Sequence, residues 1–152
     1  ETILEDIEAA RDLGVDGIVT GALTARGRIA VAETRAFVVA AGGLPVTFHR
    51  AFDLVTDPSQ AVEELIDIGV QRILTSGGKS TALDGADTIA RLVDQARDRI
   101  TIVAGGGVRE GNVREVIERG RVKEVHSRFI DESGMQRLVE RTRYPVPGAR
   151  YP

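Results

Sequence analysis

The feature that most constrains this chain is a fivefold alternation of amphipathic helix and short apolar strand. Residues 2–13 place Ile3, Leu4, Ile7, Ala10 and Leu13 on one helical face, and Gly14 offers a left-handed stop. Asp16–Thr20 reads as a short buried strand. A loop carrying Arg26, Gly27 and Arg28 leads from it into a helix over Glu33–Ala41. Leu44–His49 is the next strand, with Pro45 tolerated at its start. Asp57-Pro58 is a helix-start signal, because proline fits a first turn whose N–H groups lack partners anyway; that helix runs to Ile68 and stops at Gly69. Strands over Gln71–Thr75, Arg99–Ala104 and Val122–His126 alternate with helices over Ala86–Ala96 and Asn112–Arg119, the last ended by Gly120.

The strand starts, near positions 16, 45, 71, 100 and 122, are spaced by 22 to 29 residues, one βα unit each. Short apolar strands joined through helices imply parallel pairing, since a parallel crossover needs a dozen residues or more. Two architectures fit: a barrel and an open doubly wound sheet. An open sheet of that kind announces itself by a Gly-rich turn after its first strand. Here the first strand ends in Thr20-Gly21-Ala22-Leu23, and the Gly-rich turns follow the third and fourth strands. The expected fold is therefore α/β: part of a (β/α)-type barrel with five parallel strands and intervening helices. Residues 1–127 form that domain. Residues 128–152 are a divergent tail, in the same domain or disordered, with a helix expected from Ser133 to Arg143, capped by Ser133. Tyr144–Pro152 is expected to be extended or disordered, because its three prolines block helix.

Composition narrows the partners. Hydrophobic residues are 42% of the chain, charged residues 28%, and the net charge is −3, so charge does not point to nucleic acid or an anionic membrane. No apolar run approaches the roughly 18–20 residues that span a bilayer. The absence of cysteine excludes disulfides and thiolate metal sites within these residues and is compatible with a reducing cytoplasm.

In a barrel of this type the reactive groups gather at the C-terminal ends of the strands. Those ends read Thr20-Gly21, His49-Arg50, Thr75-Ser76-Gly77, Ala104-Gly105-Gly106 and His126-Ser127, polar groups after apolar strand bodies. His49, Arg50 and Asp53 are the candidate catalytic set: His49 to transfer protons, Arg50 to grip a carboxylate or phosphate, Asp53 to orient either. The competing reading is a structural Arg50–Asp53 ion pair with His49 covering the layer beneath. Side chains alternate along a strand, so His49 and Arg50 can share a side only if the strand ends between them. Thr75–Ser80 invites a nucleotide-loop reading and fails, since Ile73 stands where the phosphate loop needs its first glycine. Gly105-x-Gly107 likewise runs into Glu110 where a dinucleotide fingerprint needs a small residue.

Pro45-Val-Thr-Phe-His-Arg-Ala-Phe-Asp53 resembles the most characteristic motif of the CutC family. Gly17–Leu23, Arg72–Gly77, Val103–Arg109 and Glu124–Ser127 agree with that family in order and spacing, and the resemblance spans roughly residues 3 to 127. It implies a TIM (β/α)8-type barrel in which these five strands are the fourth to eighth and the first three are missing. Two open strand edges and an apolar inner face would follow, and with them self-association or pairing through the edges. The resemblance also places Gly105, Gly106 and Gly107 after the seventh strand and His126 and Ser127 at the end of the eighth, where barrels often hold phosphate. Ser76, Gly77, Gly105, Gly106, Gly107, His126 and Ser127 are thus the candidate anion-binding set.

The family's name further implies a cytoplasmic part in copper homeostasis. Copper(I) prefers soft ligands, and the chain offers one methionine, Met135, and two histidines, so no metal ligands are assigned and copper as cofactor is implied by the name alone. The alternatives are a barrel enzyme of unassigned reaction on a small anionic metabolite, or an inactive fragment.

Overall fold

The computed structural model describes residues 2–128 and 131–142. Its elements alternate as expected: α1 (Thr2–Asp12), β1 (Ile18–Thr20), α2 (Val31–Ala40), β2 (Val46–Phe48), α3 (Pro58–Ile68), β3 (Arg72–Thr75), α4 (Ala86–Ala96), β4 (Thr101–Gly105), α5 (Val113–Gly120), β5 (Glu124–His126) and α6 (Glu132–Thr142). The strands form one sheet in the order β1-β2-β3-β4-β5, every pair parallel. This is the five-strand α/β arrangement the sequence implies. Among the described residues β1 pairs only with β2 and β5 only with β4, so both outer edges are open.

Local chemistry explains the boundaries. The Asp57 side chain accepts the Gln60 N–H at 3.0 Å, Pro58 opens the first turn of α3, and Gly69 ends it at φ 95°. The helix buries Ala61, Val62, Leu65 and Ile68, spaced to form one stripe. With Val62 and Leu65 fully buried, each of these two side chains contributes about 1.5–3 kcal/mol against exposure.

Two helix ends differ from expectation. Gly120 does not stop α5. It lies inside the helix, where a β-carbon would sit 3.3 Å from Ile89, and the left-handed residue is Arg121, at φ 53°. The Arg121 guanidinium is tied to Asp94 and to the Ala90 carbonyl, which holds an arginine in a conformation glycine would adopt more easily. At α6 the cap is Asp131 rather than Ser133: its carboxylate accepts the Gly134 N–H at 2.7 Å and the Ser133 hydroxyl at 2.9 Å. The expected extended stretch Tyr144–Pro152 lies outside the described residues.

The sheet's two faces are unlike. Val46, Phe48, Ile73, Ile102 and Ala104 are buried beneath the helices with Leu65, Ile89, Val113 and Val116. Alternation turns Val19, Thr47, Arg72, Leu74, Thr101, Val103, Gly105, Glu124 and His126 to the other, inner face. That face is not the apolar surface expected. Arg72 Nε donates to Glu124 Oε2 at 2.9 Å, reaching over β4, and the hydroxyl residues Thr47 and Thr101 lie beside it. The expectation followed the apolar strand bodies as a whole, whereas burial beneath the helices takes most of the large apolar side chains to one face.

Candidate functional site at the strand ends

The sequence left open whether His49 and Arg50 share a side. Strand β2 ends at Phe48, and a short 3-10 helix over Arg50–Leu54 starts directly after it, with His49 as its cap. The His49 Nδ1 accepts the Ala51 N–H at 3.2 Å, so in the neutral ring the proton sits on Nε2. Its ring meets Phe48 edge-on at 5.8 Å and packs on Gly21, where a β-carbon would stand 2.9 Å from Cε1. The tight turn brings Arg50 over the end of β3.

Arg50 is clamped there. Its Nε donates to Asp53 Oδ2 at 2.8 Å and its Nη2 to Ser76 Oγ at 2.8 Å. The remaining nitrogen, Nη1, donates to no group among the described residues and lies beside Gly106, whose β-carbon would be 3.1 Å away. Gly106 and Gly107 have φ values of 112° and 68°, a backbone course that favours glycine. Their carbonyls are used, Gly106 O accepting from Ala82 N and Gly107 O from Asn112 Nδ2. Their N–H groups donate to nothing among the described residues. Arg50 Nη1 thus lies beside Gly106, in a turn whose Gly106 and Gly107 N–H groups have no acceptor among the described residues.

Asp53 has the opposite character. Its carboxylate accepts from Thr75 Oγ1 at 2.5 Å, from the Ser76 N–H and hydroxyl at 2.9 Å each, from the Gly78 N–H at 3.2 Å and from Arg50. Burial alone would raise its pKa; the bonds from Thr75, Arg50, Ser76 and Gly78 outweigh burial and hold it below the ordinary value. A carboxylate so engaged is an anchor for Arg50 and the β3–α4 loop, and a poor proton acceptor. Ser76 is equally committed: fully buried, its hydroxyl receives Arg50 Nη2 and has both Asp53 Oδ2 and the Lys79 carbonyl as acceptors for its single proton. Gly77 donates its N–H to Thr75 Oγ1, and its close approach to Gly85 leaves no room for a side chain.

At the far side, Gly105 pairs in register with His126 on the inner face, and Leu74 leans across Gly105. His126 is exposed, while the Ser127 hydroxyl is spent on the Val108 carbonyl at 2.6 Å. The structure therefore brings Arg50, Asp53, Ser76, Gly77 and Gly106 into one contiguous cluster. Gly107 continues that turn, with His49 just after β2 and His126 at the end of β5. Sequence reasoning named Thr75 and Gly21 among the strand ends but gave neither a role, and it passed over Gly85. The roles of Gly21 and Gly85 depend on contacts with His49 and with Ser76 and Gly77, which lie on other segments of the chain.

Copper finds no matching donors. Among the described residues no group of three or more His, Cys, Asp or Glu side chains is arranged to hold a metal ion, and Met135, the one methionine, lies on α6. No helix of the described residues is long and apolar enough to cross a membrane.

The model of the CutC family matches residues 1–131. A CutC family protein of Glaesserella parasuis serovar 5 is 49% identical over 140 residues, covering 92% of this chain and 57% of the relative. One from Caulobacter vibrioides is 45% identical over 149 residues, covering 98% and 56%. The chain thus spans a little over half the length of these relatives. A solved CutC structure from Streptococcus agalactiae, which bears a copper-homeostasis name, superposes with a TM-score of 0.78 at 33% identity, over 82% of this chain and 61% of that one. An aldolase, QR15, superposes at 0.65 with 20% identity over 82% and 59%, a likeness of fold alone.

Proposed function

The chain belongs to the CutC family, and from that premise we propose that its strand-end face binds a small anionic metabolite, a carboxylate or phosphate, as part of a barrel enzyme. The observation that carries this reading is the clamped Arg50 with its free Nη1 beside Gly106, whose N–H, like that of Gly107 next to it, has no acceptor among the described residues. Arg50 and Gly107 are exposed and Gly106 is half-buried, so an anion can reach these donors, and a guanidinium already fixed in place binds it by charge-assisted hydrogen bonds. In this reading Arg50, Gly106 and Gly107 hold the anion. His49 and His126 face the rest of the ligand, with His49 Nε2 the proton donor. Asp53 and Ser76 position Arg50, Gly77 and Ser127 shape the loops, and Gly105 leaves room for the Leu74 side chain that packs on it. The location is cytoplasmic.

A direct part in copper handling has less support, because the described donors are hard or isolated. The test is a thermal-shift screen of small carboxylates and phosphates on the chain and on Arg50→Met. A ligand at about a hundredfold its Kd stabilises by about 2.7 kcal/mol, a shift of several degrees, which the variant should lose. Equal shifts in both proteins overturn the reading.

A further inference from the structure

We propose a second anion site, independent of the Arg50 niche, between the β4–α5 loop and the start of α6, which takes the phosphate group of a small phosphorylated molecule. The Ser127 hydroxyl bond to the Val108 carbonyl, at 2.6 Å, fixes two chain segments side by side. The next residue on each is an arginine, and Arg109 and Arg128 line one cavity of about 740 Å³, with Gly111, Gly134 and Arg137 among its other walls.

The charges around this cavity are unevenly matched. Arg137 Nε donates to Glu110 at 2.8 Å and Arg141 lies 3.8 Å from the same carboxylate, so Glu110 is already neutralised. The Asp131 carboxylate is turned to the Gly134 N–H and the Ser133 hydroxyl, which together hold its pKa below the ordinary value. Arg109 is steadied by one bond from Nη1 to the Val108 carbonyl, and its other side-chain N–H groups have no acceptor among the described residues. Arg128 is exposed and donates to nothing among them. Glu110 and Asp131 also line the cavity, and Asp131 is the one carboxylate there without an arginine bond, so the two unpaired guanidinium groups of Arg109 and Arg128 outnumber it. The Gly134 N–H in the first turn of α6 is not a donor to the site, because Asp131 already accepts it.

Two guanidinium forks approaching from different directions suit a tetrahedral anion with three terminal oxygens better than a flat carboxylate, which one fork satisfies. The cavity exceeds the size of phosphate itself and leaves room for the organic part of a phosphate ester.

The test is a titration of the isotope-labelled chain with inorganic phosphate, followed by amide NMR at constant ionic strength with chloride as the balancing anion. Saturable shifts are expected at Gly111 and Gly134. They should weaken roughly tenfold or more in Arg109→Ala/Arg128→Ala, with partial recovery in Arg109→Lys/Arg128→Lys. Arg50→Met should leave them unchanged while altering Gly106 and Gly107, which separates this site from the first. Shifts at Gly111 and Gly134 that do not saturate, that chloride reproduces, or that survive the double alanine variant overturn the proposal.

Discussion

A β-carbon at Gly106 would stand 3.1 Å from Arg50 Nη1 and 3.2 Å from the Ser76 β-carbon. The glycine is thus the surface against which the guanidinium is seated, and its φ of 112° adds a backbone reason for the residue. Gly106→Ala should cost about 1–2 kcal/mol, because alanine is strained at that φ and must also push the guanidinium aside. Urea denaturation measures the loss. Anion affinity should fall alongside it, as Nη1 and the Gly106 N–H are displaced from one another.

Asp53 gathers five donors from Arg50, Thr75, Ser76 and Gly78. Asp53→Asn keeps the shape and removes the charge, so at neutral pH it should destabilise the chain by roughly 2–3 kcal/mol. The pH dependence has a definite sign. The folded carboxyl titrates below its ordinary 3.8, so its contribution is full above that value. As pH falls below 3.8 the unfolded chain takes up the proton first, and the contribution shrinks until pH passes under the folded pKa. Denaturation curves of both proteins, measured from neutral to acid pH, should therefore converge on the acid side.

Gly21 and His49 directly follow the neighbouring strands β1 and β2, and a β-carbon on the first would overlap the ring of the second at 2.9 Å from Cε1 and 3.0 Å from Nδ1. Gly21→Ala should rotate the imidazole out of its place and break the bond from the Ala51 N–H to Nδ1. Proton-detected imidazole NMR of the variant checks this through the Nδ1 and Nε2 shifts. Thermal stability should fall by only about 1 kcal/mol, because the ring is partly exposed and has room to turn.

The edges of the sheet lead us to propose that the chain self-associates. Ile3, Leu13, Val15 and Val19, all in the segment of α1 and β1, are 36% to 85% exposed, and β1 has no second strand partner among the described residues. An open parallel strand in a segment with exposed apolar side chains is a template for another chain. Sedimentation velocity should show mass rising with concentration, and Val19→Lys should suppress it. A monodisperse monomer at all concentrations would contradict this.

The fold was largely legible in the sequence because its signals are local. Apolar periodicity, Asp57-Pro58 and Gly69 mark α3, and the 22-to-29-residue spacing of strands marks the parallel sheet. The strand-end residues could be named for the same reason, since a barrel's topology says where such residues gather. Their division of labour could not. Whether Arg50 is free depends on Asp53, Ser76 and Gly106, and the last two lie 26 and 56 residues away. The 3-10 turn that follows His49 and seats Arg50 against Ser76 has no strong local signature. The polar inner face was hidden too, because Arg72 and Glu124 meet only when β3, β4 and β5 stand side by side.

The most direct measurement is a crystal structure of the chain grown or soaked in phosphate. The account expects an anion within hydrogen-bond distance of Arg50 Nη1 and the N–H groups of Gly106 and Gly107, and its loss in Arg50→Met crystals under the same conditions. A turn that stays empty at high phosphate, with Arg50 in its present place, would contradict it.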